Sequence, residues 1–308
     1  ITDRIGDFRG GSLTNGQVVK IATRTEDVGA RRGDIECPAI VSIDIDTDAR
    51  GVATLTLARA DKHNAMSGEM ITELTQAAAQ LAADDTVRVV ILAAEGKSFC
   101  AGGDLGWMQD QMAADRETRF REARKLAEML GALNTLPKPV IGAVQGNAFG
   151  GGLGLISVCD VAIGVDTIKM GLTETRLGLI PATIGPYVVT RMGEARARRV
   201  FMSARLFGAA EGVDLGLLAR VVSADDLAEA VEREVVPYLS CAPGAVASAK
   251  QLVREPIKDH IEACKGDGQH PAECTRLPRG RGVHNAIVLD ASRTSTECFG
   301  EVNHGTNC

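Results

Sequence analysis

The chain has 308 residues, 45% hydrophobic and 24% charged, which is room for one large globular domain or for one domain with an appended lobe. A formal net charge of −6 argues against a general nucleic-acid binder, which needs a lysine and arginine excess to neutralise phosphates. Aromatic residues make up only 3%, whereas there are 34 glycines, a balance suited to helices packed closely on sheets.

Residues 1–38 show no sustained period and no helix caps, and their first stretch, ITDRIGDFRGG, lacks the apolar core of a secretory signal. They are expected to be an N-terminal extension, with disorder left as an open reading. The cytoplasm is the default compartment, with the mitochondrial matrix left open. VSIDID and VATLTLA then alternate apolar and polar residues around the turn Thr47–Gly51, a hairpin pattern. Ser67 stands before an apolar stripe of Ile71, Leu74, Ala78 and Leu81 and predicts a capped helix. VRVVILAA predicts a buried strand, and a long helical region follows from Leu105 to Leu133, stopping before LPKP.

PVIGAV predicts the next buried strand. It opens Pro139–Cys159, a stretch without charge that is long enough to tempt a membrane reading. Its six glycines, with Gln145 and Asn147, make a poor spanning helix, and a strand, a turn and a helix ending near Cys159 explain the pattern better. DVAIGV and TIKMG read as short strands. Beyond Leu179 the pattern is mostly helical: Ile184–Met192, Glu194–Met202, Ala209–Leu215, Asp225–Tyr238 and Ala242–Val253. Strands alternating with helices predict an α/β core followed by a helical lobe, with a recurring strand-strand-helix rhythm.

Two glycine turns lie between buried strands and helices: Cys100-Ala-Gly-Gly-Asp104 and Gly150-Gly-Gly-Leu-Gly154. Such turns free backbone N–H groups at a helix start, where the helix dipole also favours negative charge. Side by side, two of them could hold one developing oxyanion. Glu174, in KMGLTETRLGLIP, adds a carboxylate with no lysine adjacent in sequence. Taken singly, a glycine turn is more often a tight connection, and a loop glutamate more often solvated. A dinucleotide fingerprint is the weaker alternative, since Gly152-Leu-Gly154-Leu-Ile-Ser157 lacks the closing glycine.

SFCAGGDLGWM, LPKPVIGAVQGNAFGGGLGLISVCDVAIG and KMGLTETRLGLIPATIGPYVV together resemble the enoyl-CoA hydratase/isomerase (crotonase) superfamily, from about Ile40 to about Arg254. The resemblance implies an α/β spiral of strand-strand-helix repeats over residues 39–193, a helical trimerisation region over 194–258, and assembly as a homotrimer or homohexamer. It implies that the N–H groups of Gly103 and Gly151 hold an acyl thioester oxygen while Glu174 moves protons. Coenzyme A would enter as part of the substrate, with no permanently bound cofactor. Its contacts map onto Lys62, His63 and Ala65 in ADKHNAMS, and onto Ala101, Gly102, Asp104 and Leu105. An acyl pocket is expected from Trp107, Met108, Met112, Ile184 and Tyr187, with Asn147 and Thr183 supporting a water.

Two departures stand out. Two-carboxylate hydratases of the family carry a glutamate where this chain has Gly154, so only Glu174 remains. One carboxylate suffices for an isomerase, which returns a proton two carbons away. GLIPATIGPYVV nevertheless resembles the branch that hydrates branched, glutaconyl-type thioesters. Hydratase, isomerase and catalytically silent acyl-CoA binder are therefore the three readings. The second departure is 259–308, an atypical stretch holding Cys264, Cys274, Cys298 and Cys308 with four of the five histidines. Its spacings match no common zinc pattern, so a disordered tail without a metal is expected.

Overall fold

The computed structural model describes residues 42–254, and the expectations placed on 1–38 and 259–308 lie outside them. An antiparallel hairpin comes first, β1 (Ile43–Thr47) and β2 (Val52–Leu57), with Ile43 opposite Leu57. Its turn is tied by the Asp48 carboxylate, which accepts from the N–H groups of Arg50 (2.8 Å) and Val52 (3.0 Å). Helix α1 (Gly68–Ala83) starts where predicted. Ser67 Oγ accepts from Met70 N–H at 3.3 Å, a cap worth about 1 kcal/mol.

Three further units repeat the rhythm. β3 (Val89–Ala94) and β4 (Ser98–Cys100) lead to α2 (Leu105–Ala113) and α3 (Arg116–Thr135). β5 (Val140–Val144) and β6 (Asn147–Phe149) lead to α4 (Gly151–Val158). β7 (Val161–Val165) and β8 (Lys169–Gly171) lead to a 3-10 turn, Glu174–Leu177. The remainder is α5 (Gly185–Met192), α6 (Glu194–Ala197), β9 (Phe207–Gly208), α7 (Ala209–Asp214), β10 (Arg220–Val222), α8 (Leu227–Leu239) and α9 (Pro243–Arg254).

The long strands form one sheet in the order β1-β2-β3-β5-β7-β10, parallel from β2 onward. Both faces are covered, as a parallel sheet requires. Ala53, Val90, Val140 and Ala162 point into the main core with α1, α3 and α4. Their neighbours Val52, Val89, Ile141 and Ile163 point the other way, against Ala230, Val231 and Val235 of α8.

The short strands form a second sheet, β4-β6-β8-β9, in which β4, β6 and β8 are parallel neighbours. The three segments leaving their C-terminal ends, at residues 101–104, 150–151 and 172–174, therefore emerge side by side.

Two helix expectations are corrected. The helical region from Leu105 to Leu133 is broken, because Asp115 caps a second helix by accepting from Thr118 N–H at 2.7 Å. The helix expected over Glu194–Met202 covers only Glu194–Ala197, and turns follow it. Among the described residues no helix is long and apolar enough to cross a membrane.

Candidate active site

The first glycine turn is registered against the segment before α1. Met66 N–H donates to Gly102 C=O at 2.8 Å, and Asp104 N–H donates to Met66 C=O at 2.9 Å. A parallel bridge of this kind uses the groups on either side of Gly103 and turns Gly103's own N–H to the opposite face. Ala101 N–H donates to His63 C=O at 3.0 Å, extending the same miniature ladder. Gly102 sits at φ 98°, where a side chain would be strained.

The second turn lies against the first. Gly151 opens α4, so its N–H has no acceptor within the helix. A Cβ on Gly102 would lie 3.8 Å from Gly151 N. The glycine run thus has separate reasons at each position. Gly150 has φ 48°, and a Cβ there would stand 2.9 Å from Glu174 Oε1. A Cβ on Gly151 would overlap Met66 Cε, and one on Gly152 would press on the Cys100 carbonyl.

Glu174 faces this backbone from the 3-10 turn after β8. Its Oε2 is buried and has no hydrogen-bond partner. Burial pushes the Glu174 carboxyl above its ordinary range, only partly offset by a bond from its own backbone N–H. Cys100, beside the first turn, is no rival nucleophile: burial pushes its thiol up to about 12.

Glu174, Gly103 and Gly151 line one cavity of about 460 Å³. Trp107, Met108, Met112 and Ile184, expected to line an acyl pocket, line it too, and so do Ala101, Gly102 and Leu105, named for coenzyme A, and Thr183, named for a water. Others fall elsewhere. Asn147 is a strand residue whose Oδ1 accepts from Lys169 N–H at 2.7 Å, tying β6 to β8. Tyr187 docks α5 on α3, its hydroxyl donating to Ala127 C=O at 2.9 Å.

Asp104 is the N-cap of α2, accepting from Gly106 N–H (2.9 Å) and Trp107 N–H (3.3 Å). Burial alone would raise its carboxyl, but those bonds and the Arg59 guanidinium at 3.1 Å outweigh burial and hold it below its usual range. Lys62, His63 and Ala65 border the site without lining the cavity.

Several contributors escaped sequence reasoning. Arg59 Nη1 donates to Ala65 C=O at 2.7 Å while Nη2 pairs with Asp104, clamping the 62–65 segment to the turn. Asn64 is fully buried; it accepts from Arg59 N–H at 2.9 Å and donates to the carbonyls of Glu95 and Ser98, both at 2.8 Å. Met66, Gln111, Arg119 and Thr173 also line the cavity. Gln111 had a readable signal, since it lies one turn beyond Met108 on the same helix face.

The place of the absent first carboxylate is closed. A Cβ on Gly154 would lie 2.9 Å from Ile184 Cγ2 and 3.4 Å from Leu130 Cδ1. A side chain at Gly154 would first have to displace Ile184.

The family model for enoyl-CoA hydratase/isomerase matches residues 47–270, most of the chain and all of this site. The chain belongs to the enoyl-CoA hydratase/isomerase family. It is 34% identical over 206 residues to the enoyl-CoA hydratase ACTT6 of Alternaria alternata, covering 67% of each chain. The crystal structure of an enoyl-CoA hydratase from Shewanella pealeana superposes with a TM-score of 0.69 at 35% identity, over 74% of this chain and 88% of that one. An enoyl-CoA hydratase of Mycobacterium smegmatis gives 0.68 at 31% identity, over 76% and 94%. The spiral, with its parallel sheets and C-terminal helices, is the fold these structures share with the chain.

Proposed function

We propose that the protein adds water across the 2,3 double bond of a 2-enoyl-CoA. The N–H groups of Gly103 and Gly151 hold the thioester oxygen as it becomes an enolate. Helix α4 directs its N-terminal dipole at the same point. Glu174 takes the proton from the attacking water and returns one to C2, so both additions occur on one face. One observation carries this reading: a buried, unpartnered carboxylate oxygen faces two glycine turns across one cavity. Coenzyme A would arrive with the substrate and lie along Lys62–Ala65 and Ala101. The apolar walls from Trp107, Met108, Met112 and Ile184 suit a branched acyl chain. The likeness of GLIPATIGPYVV makes a glutaconyl-type thioester the first candidate, although its free carboxylate gains nothing from those walls. A homotrimer or homohexamer is the assembly we expect, and sedimentation measures it.

A 3-enoyl to 2-enoyl isomerase is the second reading, favoured by the filled space at Gly154. The ultraviolet band of the conjugated enoyl thioester separates the two. Loss of the band from a 2-enoyl-CoA means hydration; growth from a 3-enoyl-CoA, without loss from the other, means isomerisation. A flat trace with both leaves a silent acyl-CoA binder. Glu174→Gln is expected to lower turnover by about 10³-fold while thioester binding, by calorimetry, stays within a few fold. Intact turnover in that variant removes Glu174 from the mechanism.

A further inference from the structure

Among the described residues, five side chains hold a buried polar atom without a partner, and three of them, Trp107, Gln111 and Glu174, line the cavity. Such atoms cost about 1–3 kcal/mol each and are rare without a reason. Trp107 Nε1 has a local setting, lying 3.5 Å from where a Cβ on Gly68 would stand, at the start of α1. Two acceptors remain around the cavity, Glu174 Oε2 and Gln111 Oε1.

A nucleophilic water has two hydrogens and needs two acceptors to aim its lone pair at carbon. Glu174 supplies one. The position that could supply a second carboxylate, Gly154, is closed by Ile184 and Leu130. Gln111 stands on the cavity face of α2, one turn beyond Met108, whose Sδ packs 3.1 Å from where a Cβ on Gly103 would stand.

We propose that the Gln111 carboxamide is the second acceptor for the hydrating water, a positioning residue that does the orienting work of the absent carboxylate. The inference rests on the hydratase reading above. In the step, the water oxygen bonds to C3 and the π pair moves toward C2 and the thioester oxygen. One water proton passes to Glu174. Glu174 then delivers a proton to C2, and Gln111 neither gains nor loses one.

The test uses the full chain and three variants, Gln111→Leu, Gln111→Glu and Gln111→Ala. It follows two readouts: hydration of a 2-enoyl-CoA, and deuterium exchange at C2 of the saturated acyl-CoA, which needs Glu174 and the backbone N–H pair but no attacking water. The expected result for Gln111→Leu is a fall in hydration kcat of about 10²-fold, with KM and C2 exchange within about threefold of wild type. Gln111→Glu is expected to recover at least a tenth of the hydration lost, because its carboxylate accepts as the carboxamide does. Unchanged hydration in both Gln111→Leu and Gln111→Ala overturns the assignment. So does a parallel fall of hydration and C2 exchange with raised KM, the mark of a packing role. Absence of hydration in the wild type with C2 exchange intact overturns the hydratase reading itself, and this inference with it.

Discussion

The two walls of the cavity are held in place by different means. The wall bearing Gly103 and Gly151 is main chain, locked by the Met66 bridge, the Ala101–His63 bond, the Arg59 clamp and the three bonds of Asn64. The facing wall runs from Glu174 to Ile184 and along α2 and consists of side chains on a 3-10 turn, a loop and a nine-residue helix. There Leu177, Ile180 and Met112 are 61%, 74% and 61% exposed. The difference separates two tasks. On the proposed function, the groups that would meet the thioester are built into the backbone, where substitution cannot delete them. Those that would meet the acyl chain are side chains, which can change without disturbing the fold.

Breaking the backbone wall should have the largest effect. Gly151→Val drives its side chain into Met66 and displaces the N–H that heads α4. Turnover is expected to drop roughly 10²- to 10³-fold, the usual cost of one misplaced oxyanion donor. A variant of wild-type speed in the band assay would move the hole elsewhere.

Asn64→Ala tests the scaffold behind that wall. It leaves the Arg59 N–H and the carbonyls of Glu95 and Ser98 without their buried partner. Urea unfolding is expected to show a loss of roughly 2–4 kcal/mol. A loss below about 1 kcal/mol would mean that water takes over the bonds and that the wall is softer than described.

A smaller effect comes from the ionisation of Glu174. Its folded pKa lies above the unfolded value, so the folded state holds its proton more tightly. Stability is then undiminished below the unfolded pKa, falls as pH rises through the window between the two values, and stays reduced above it. Glu174→Gln is therefore expected to have the higher melting temperature at neutral pH, the gap closing in acid. Activity should run the opposite way, rising with pH as the carboxylate forms. A variant that melts below wild type at neutral pH contradicts the desolvation account.

The smallest stability change should come from the side-chain wall. Leu177→Ala removes an exposed apolar group that lines the cavity, and a change within about 0.5 kcal/mol is expected. The acyl-length preference of kcat/KM should nevertheless shift by several fold, since a methylene or two of pocket contact is worth roughly 1–3 kcal/mol of discrimination. A large stability loss with no shift in preference would reverse the division of labour between the walls.

The same division explains what could be read from the sequence. The backbone wall left a local trace, because close approach demands glycine and a capped helix demands Ser67. Gly103 and Gly151 stood out for that reason, while Glu174, on the other wall, stood out only as a carboxylate in a glycine-flanked segment; the long strands showed as an alternating hairpin and as buried apolar runs. The three-residue strands β4, β6 and β8 are too short for a period to register, so the second sheet, which brings the turns together, was not readable on its own. Asn147 and Tyr187 were misplaced because a polar residue near a glycine run and an aromatic on an apolar face look alike in a cavity and in a packed joint. Their partners, Lys169 and Ala127, are 22 and 60 residues away. Asn64 and Arg59 went unnoticed because their value lies in backbone groups brought to them by the fold.

Helix α4 is buried at all eight of its residues. Amides in such a helix trade their hydrogen with solvent only when a large part of the molecule opens. The N–H groups of Gly151 and Gly152 head the helix without an intrahelical acceptor, and of the two only Gly151 lines the cavity. The Gly151 N–H should exchange ahead of the amides deeper in α4 in the free protein, and slow once an acyl thioester is seated. The helix thus contains its own occupancy gauge: a single amide whose exchange rate, set against its neighbours, reports whether the carbonyl of a ligand has arrived.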